Sequence, residues 1–185
     1  NIDTFLAVQS YQKDYTKAGS GRLQMGPVDI DRFIDDSLLI ISKVKADKVY
    51  LFDYKDRNLP FNSGLIKPLP VNFLKQIPVK FRVDSLVLTN ASVDYTEVSE
   101  KTKIAGNVPV KRMQVALANV KNFGAVPGDS LRIKATGYLL DTVWVRLQVN
   151  ESYTDSLGGF LVTVRLKPGD LTVLKRVPRA APAQR

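Results

Sequence analysis

The 185-residue sequence contains neither cysteine nor histidine. That double absence removes thiol nucleophiles, disulfides, zinc sites of the Cys/His type, haem ligation and imidazole acid–base chemistry, and with them most hydrolase mechanisms. A cysteine-free chain suits an oxidising compartment without a disulfide frame as well as it suits the cytosol, so cysteine usage does not set the location. Long apolar runs are missing too. The most apolar stretch, Leu38 to Ile41, is a strand's worth, whereas a helical membrane span needs roughly 18 uncharged apolar residues. No phosphate loop is present, because Gly19-Ser20-Gly21 and Gly158-Gly159 are turn glycines and neither opens onto a helix carrying Lys before Ser or Thr.

What remains is the composition of an ordinary folded protein, 44% hydrophobic and 24% charged, long enough for one domain or two small ones. Lys and Arg number 27 against 18 Asp and Glu, a formal charge of +9. That balance favours anionic surfaces: lipid headgroups, acidic polysaccharide or nucleic acid. Nucleic acid would call for a basic stripe interleaved with surface aromatics. The basic clusters (Lys43, Lys45, Lys48; Lys101, Lys103, Lys111, Arg112; Lys175, Arg176, Arg179, Arg185) lie in other segments than the aromatics, so no nucleic acid is expected. Attraction to headgroups needs no such pattern. Asp29, Asp31, Asp35 and Asp36 read as helix capping rather than a calcium loop, since Phe33 stands where a ligand should. No metal or cofactor is expected, no catalytic residue is assigned, and the protein is read as non-enzymatic.

From about Phe81 onward the hydrophobic pattern has period two. Leu131, Ile133, Ala135, Gly137 and Leu139 alternate with Arg132, Lys134 and Thr136. After a break at Leu140-Asp141-Thr142 the alternation resumes as Val143, Val145, Leu147 and Val149 against Trp144, Arg146, Gln148 and Asn150. A third run sets Phe160, Val162, Val164 and Leu166 against Leu161, Thr163, Arg165 and Lys167. These runs predict an antiparallel meander with one apolar face. Upstream, Phe81, Val83, Val87, Ala91, Val93 and Tyr95 share one parity and Leu86 and Leu88 the other, which demands apolar cover on both faces. Met113, Val115 and Leu117 supply a further strand after a polar loop from Glu100 to Pro109.

The expected fold is mainly β, a curved antiparallel meander over 81–174, either an open groove or sandwich-like. An irregular β segment with short helices, 1–80, belongs to the same unit, and 175–185 is a flexible basic tail. Within the first segment, strands are predicted at Arg22–Met25 and Lys48–Tyr54, a short helix at Asp29–Asp35, and one helical turn after Pro70 over Val71–Gln76. Asp3 to Ala18 fits helix or strand.

The order of features from Val49 to Tyr95 carries a resemblance. A strand and charged turn, Tyr50 through Asp56-Arg57-Asn58-Leu59-Pro60, is followed by a proline-framed turn, Leu69-Pro70 through Ile77-Pro78. Then comes Val83-Asp84-Ser85-Leu86-Val87-Leu88-Thr89-Asn90, running on to Tyr95-Thr96-Glu97. Gly106 to Val110, Asn119 to Phe123, Gly158-Gly159-Phe160 and Gly169-Asp170-Leu171 continue the series. The pattern resembles the AsmA-like envelope proteins of Gram-negative bacteria, TamB-like β-groove proteins included, and especially their Bacteroidetes-type members. It covers roughly Val49 to Leu174. It departs beyond Leu171, where the family often has Asn-Pro and this chain reads Leu174-Lys175-Arg176-Val177-Pro178.

The resemblance implies a long twisted sheet rolled into an open groove in the periplasm, held by an N-terminal membrane helix, of which this chain would be a piece without the anchor. It implies a role in carrying or sheltering phospholipid between the two membranes, or in outer-membrane assembly. The apolar wall would then be Phe81, Val83, Val87, Met113, Val115, Leu117, Ile133, Leu139, Val143, Val145, Leu147, Phe160, Val162 and Val164, with basic residues at the rim meeting phosphate or the membrane surface. Tyr50, Phe52 and Tyr54 are either groove lining or core. Trp144, on the polar parity of its strand, either meets lipid or sugar or packs against a neighbour. The competing reading is a closed β-sandwich that binds a protein or glycan; the two differ in whether an apolar face beyond a few hundred Å² stays uncovered. Open edges at a cut end would invite pairing with another copy.

Overall fold

A computed structural model describes residues 2–62, 64, 68–155 and 159–167. In chain order its elements are α1 (Ile2–Leu6), β1 (Asp14–Gly19), β2 (Arg22–Met25), α2 (Ile30–Asp36), β3 (Leu38–Asp47), β4 (Tyr50–Asp56), α3 (Pro70–Lys75), β5 (Lys80–Val98), β6 (Ala105–Lys121), β7 (Ser130–Leu139), β8 (Val143–Ser152) and β9 (Phe160–Leu166). The fold is mainly β. The expected tail at 175–185 and the end of the expected meander, 168–174, lie outside the described residues. The short helices form where capping and proline placement predict. Asp29 caps α2 by accepting from the Arg32 N–H at 3.0 Å, and Pro70 occupies the first turn of α3, where its missing N–H costs nothing.

β5 is the spine, 19 residues long. One edge carries β6 antiparallel; the other carries β3 along its first half and β4 along its second, both parallel. The sheet is therefore mixed where β3 and β4 join β5, while the expected antiparallel meander runs from β5 to β9. Parallel pairing needs a crossover of a dozen or more residues, and residues 57–79, with α3 inside them, supply it. β6 to β9 form the antiparallel meander, β1 pairs β4, and β2 pairs β3. The sheet is not closed: β1 and β9 stand at the two ends of its path.

β6 begins at Ala105, so the polar connection is shorter than the predicted Glu100–Pro109 loop. Pro109 is tolerated inside this strand because its carbonyl accepts from the Leu140 N–H at 2.9 Å, in the turn just past the end of β7. The nitrogen points the same way, away from β5, so no bond of the β5–β6 ladder is forfeited.

A crease crosses the sheet. Lys48 between β3 and β4, Asn90 in β5 and Arg112 in β6 all adopt left-handed backbone, with φ of 53°, 50° and 52°. They lie on neighbouring strands, between Asp47↔Thr89 and Tyr50↔Ser92 on one side and between Leu88↔Val115 and Val93↔Val110 on the other. Each such residue resets the alternation of side chains along its strand. β7 crosses this line at Gly137 without a left-handed residue, and so serves as the ruler: Ala135 pairs with Val115 and Leu139 with Val110, four residues apart and hence on one face.

A packed hydrophobic cluster lies at the lower end, away from the crease. Val71, Val120, Leu131 and Tyr153 form a buried cluster, against which Leu74, Phe81, Val83, Leu86, Leu117 and Ile133 pack. α3 supplies Val71 and Leu74. It is pinned there by Glu151, 2% exposed, whose two carboxylate oxygens accept from the Val71 N–H at 3.2 and 3.1 Å.

Candidate functional site

The strand registers assemble one apolar face row by row. Ala46, Leu88, Val115, Ala135, Leu147 and Val164 stand opposite one another across successive strands, and so do Val44, Leu86, Leu117, Ile133, Val149 and Val162. Beyond the crease the same face continues as Leu51, Val93, Val110, Leu139 and Val143. α3 packs over the lower end of it. Toward the β9 edge it is open, with Val164 56% and Phe160 51% exposed.

Most of the predicted wall residues come together there. Met113, Val115, Leu117, Ile133, Leu139, Val143, Val145, Leu147, Phe160, Val162 and Val164 share this face. Phe81 and Val83 do not line open surface; they pack into the cluster under α3. Val87 is a correction. Its partners Lys45 and Ala116 place it on the reverse face, in a depression with Lys134 and Arg146. Leu86, Leu88, Ala91 and Val93 take the position the sequence gives to Val87: the ladder lapses at Asp84, opposite the left-handed Asn119, which parts Val87 from Val83, and the left-handed Asn90 brings Ala91, Val93 and Tyr95 to the Leu88 side.

Tyr50, Phe52 and Tyr54 also miss the apolar face, since their partners are Ser92, Asp94 and Thr96 while the intervening Leu51 pairs with Val93. On their side Tyr15, paired with Tyr54, meets Phe5 of α1 at a ring distance of 5.3 Å. Trp144 pairs with Tyr138 on the reverse face, with the Lys167 ammonium 5.0 Å and the Arg146 guanidinium 5.4 Å from its ring. The basic side chains Lys43, Lys45, Arg132, Lys134, Arg146 and Arg165 are not at the rim of the apolar face: they stand on its reverse. Strict alternation with Val44, Ile133, Ala135, Val145 and Val164 forces this.

Ionisable groups on the apolar side are tied to neighbours. At its upper end the Tyr95 hydroxyl donates to Glu97 at 2.5 Å, and Glu97 also takes the Arg57 guanidinium at 2.9 Å. Burial first, then that hydrogen bond and the Glu97 charge, push the Tyr95 phenol up to about 12. Glu151 is spent on the cap of α3. Among the described residues no three acidic side chains converge where a metal ion could sit. The chemistry this face offers is contact with hydrocarbon. No protein-family model and no curated protein matches the chain.

Proposed function

We propose that this is a non-enzymatic cell-envelope protein whose apolar sheet face shelters the acyl chains of phospholipid, in carriage between membranes or in support of outer-membrane assembly. The observation that carries the reading is the apolar face itself, continuous across the crease and open toward the β9 edge. From Leu86 to Tyr95, at about 3.3 Å per residue, it runs for roughly 30 Å along β5, enough for an acyl chain laid lengthwise. Each methylene removed from water contributes about 0.8 kcal/mol. A location in the periplasm, with an anchor outside this chain, rests on the resemblance to AsmA-like proteins. A closed sandwich would need a second sheet over the apolar rows, and the described strands all belong to one sheet.

The test is solvent extraction of the purified protein with native and lipid mass spectrometry, beside binding of a fluorescent phospholipid. Phospholipid should be held at a defined ratio and lost in Val115→Asp and Val145→Asp variants that keep the wild-type circular dichroism. Val87→Asp, on the reverse face, should retain it. A lipid-free protein that ignores the fluorescent probe would sink the proposal.

A further inference from the structure

We infer that the reverse face of the sheet docks onto an anionic lipid bilayer. The residues on that face are set by the same registers. One row reads Lys45, Val87, Ala116, Lys134, Gln148 and Thr163; the next, Lys43, Ser85, Ala118, Arg132, Asn150 and Leu161; a third ends Thr136, Arg146 and Arg165. Cations therefore flank a floor of small side chains.

None of Lys43, Lys45, Arg132, Lys134, Arg146 and Arg165 forms an ion pair among the described residues, and all are exposed. Arg146 and Arg165 stand directly opposite each other. Like charges in that relation destabilise a sheet, so the fold carries a repulsion that no acid among the described residues relieves. An external anion relieves it.

The array is two-dimensional. From β3 to β9 it crosses five strand spacings of about 4.8 Å, roughly 24 Å, and it extends over several residues along each strand. A linear polyanion would be matched by a single track of cations; a layer of headgroup phosphates is matched by a grid. Shallow depressions lie within the grid, one of about 420 Å³ beside Lys134, Arg146, Gln114 and Gln148 and another of about 220 Å³ beside Arg132, Lys134 and Asn150. Each presents cations and side-chain amides to a phosphate entering from above. The lipid reading of the apolar face is not required for this inference, which uses none of that face's residues.

The experiment is co-sedimentation of the whole chain with vesicles of 30% phosphatidylserine in phosphatidylcholine, and with phosphatidylcholine alone. Binding to the anionic vesicles is expected, weakening about fivefold per neutralised cation and falling with salt. Arg146→Gln/Arg165→Gln should weaken it roughly 25-fold while holding or raising the thermal midpoint, since a repulsion is removed. Lys101→Gln/Lys103→Gln, the same charge change outside the grid, should stay within about twofold. Uptake of fluorescent phospholipid should be unchanged in Arg146→Gln/Arg165→Gln, so that this inference and the acyl-chain reading fail separately. Equal losses in the two double variants would reduce the effect to net charge and overturn the inference. So would equal binding to neutral vesicles, or capture by soluble polyuronate with no vesicle binding.

Discussion

Removing the hydroxyl of Tyr153 tests how the lower end of the sheet is held. Tyr153 is 4% exposed; its hydroxyl donates to the Asn119 carbonyl at 2.5 Å and accepts from the Lys121 N–H at 3.0 Å. Those two backbone groups need it because β6 parts from β7 there. The last registered pair is Ala118↔Arg132, and Asn119 is left-handed with φ 60°. In Tyr153→Phe the ring stays, with its packing against Leu131 and Val71 and its place under the Lys121 ammonium. The variant therefore isolates the hydrogen bonds from the cavity term. Leaving a buried donor or acceptor unmade costs about 1–3 kcal/mol, so the pair should cost about 2–4 kcal/mol. Urea unfolding followed by circular dichroism should show a midpoint lower by about 1–2 M at an unchanged slope near 2 kcal/mol/M. A loss under about 0.5 kcal/mol would refute the claim that this hydroxyl replaces the missing ladder bonds.

The remaining predictions concern the crease and the Tyr95 end of the apolar face. A Cβ added at Gly137 would stand 2.8 Å from Met113 Cγ and 3.3 Å from the Lys111 carbonyl, so Gly137→Ala should cost about 1–3 kcal/mol in thermal unfolding, with part recovered by adding Met113→Ala. If Gly137→Ala is neutral, β7 is not clamped against β6 at the crease. Tyr95, its phenol pushed up to about 12 chiefly by burial and then by Glu97, should ionise well after the exposed tyrosines when absorbance at 295 nm is followed with pH, and Glu97→Gln should bring it down. Its folded-state value lies above the unfolded one near 10, so the stability it contributes is whole below about pH 10 and is lost as pH rises through about 12. A Tyr95→Phe variant with the same alkaline limb as the wild type would remove that assignment.

The mainly β class was legible because alternation is a local signal, and Leu131 to Leu139 or Val143 to Val149 can bury one side in no other way. The short helices at Ile30–Asp36 and Pro70–Lys75 were legible through Asp29 and Pro70. The parallel placement of β3 and β4 on β5 left no local trace, since their partner lies across a crossover and a strand reads alike in either direction. The misplacement of Val87 has two causes. Counting by twos from Phe81 to Tyr95 assumes an unbroken strand, but the ladder lapses at Asp84, opposite the left-handed Asn119, between Val83 and Val87, and Asn90 breaks the alternation again. Asn90 tolerates left-handed backbone more readily than most residues, so it was a readable warning. Lys48 and Arg112 were not, since neither type favours that conformation; they adopt it because the adjoining strand does. Basic residues expected at a rim instead form the reverse face, which becomes visible once the registers of β3, β7, β8 and β9 are laid side by side.

The crease explains why the two faces differ so sharply in character. Had alternation continued unbroken past Leu88, Ala91, Val93 and Tyr95 would fall among the cations of the reverse face. Ser92, Asp94 and Thr96 would interrupt the apolar one. Those polar residues are instead satisfied where they are, with Asn107 of β6 donating to both Asp94 and Thr96. One left-handed residue in a single strand would shift its register against both neighbours. Taken together at Asn90 and Arg112, the two irregularities leave Leu88↔Val115 and Val93↔Val110 at the same offset, so pairing resumes on the far side. Left-handed backbone at a residue other than glycine costs roughly 1–2 kcal/mol, and the sheet bears it in adjacent strands. Local hydrogen bonds offset part: the Asp47 carboxylate accepts from Asn90 at 2.7 Å and Thr89 at 2.8 Å, and the Arg112 guanidinium donates to the Asp141 carbonyl at 2.7 Å while lying 4.2 Å from the Tyr138 ring. The outcome is a sheet that carries its apolar rows across the crease on one side, which is what the proposed contacts with hydrocarbon on that side and phosphate on the other would require.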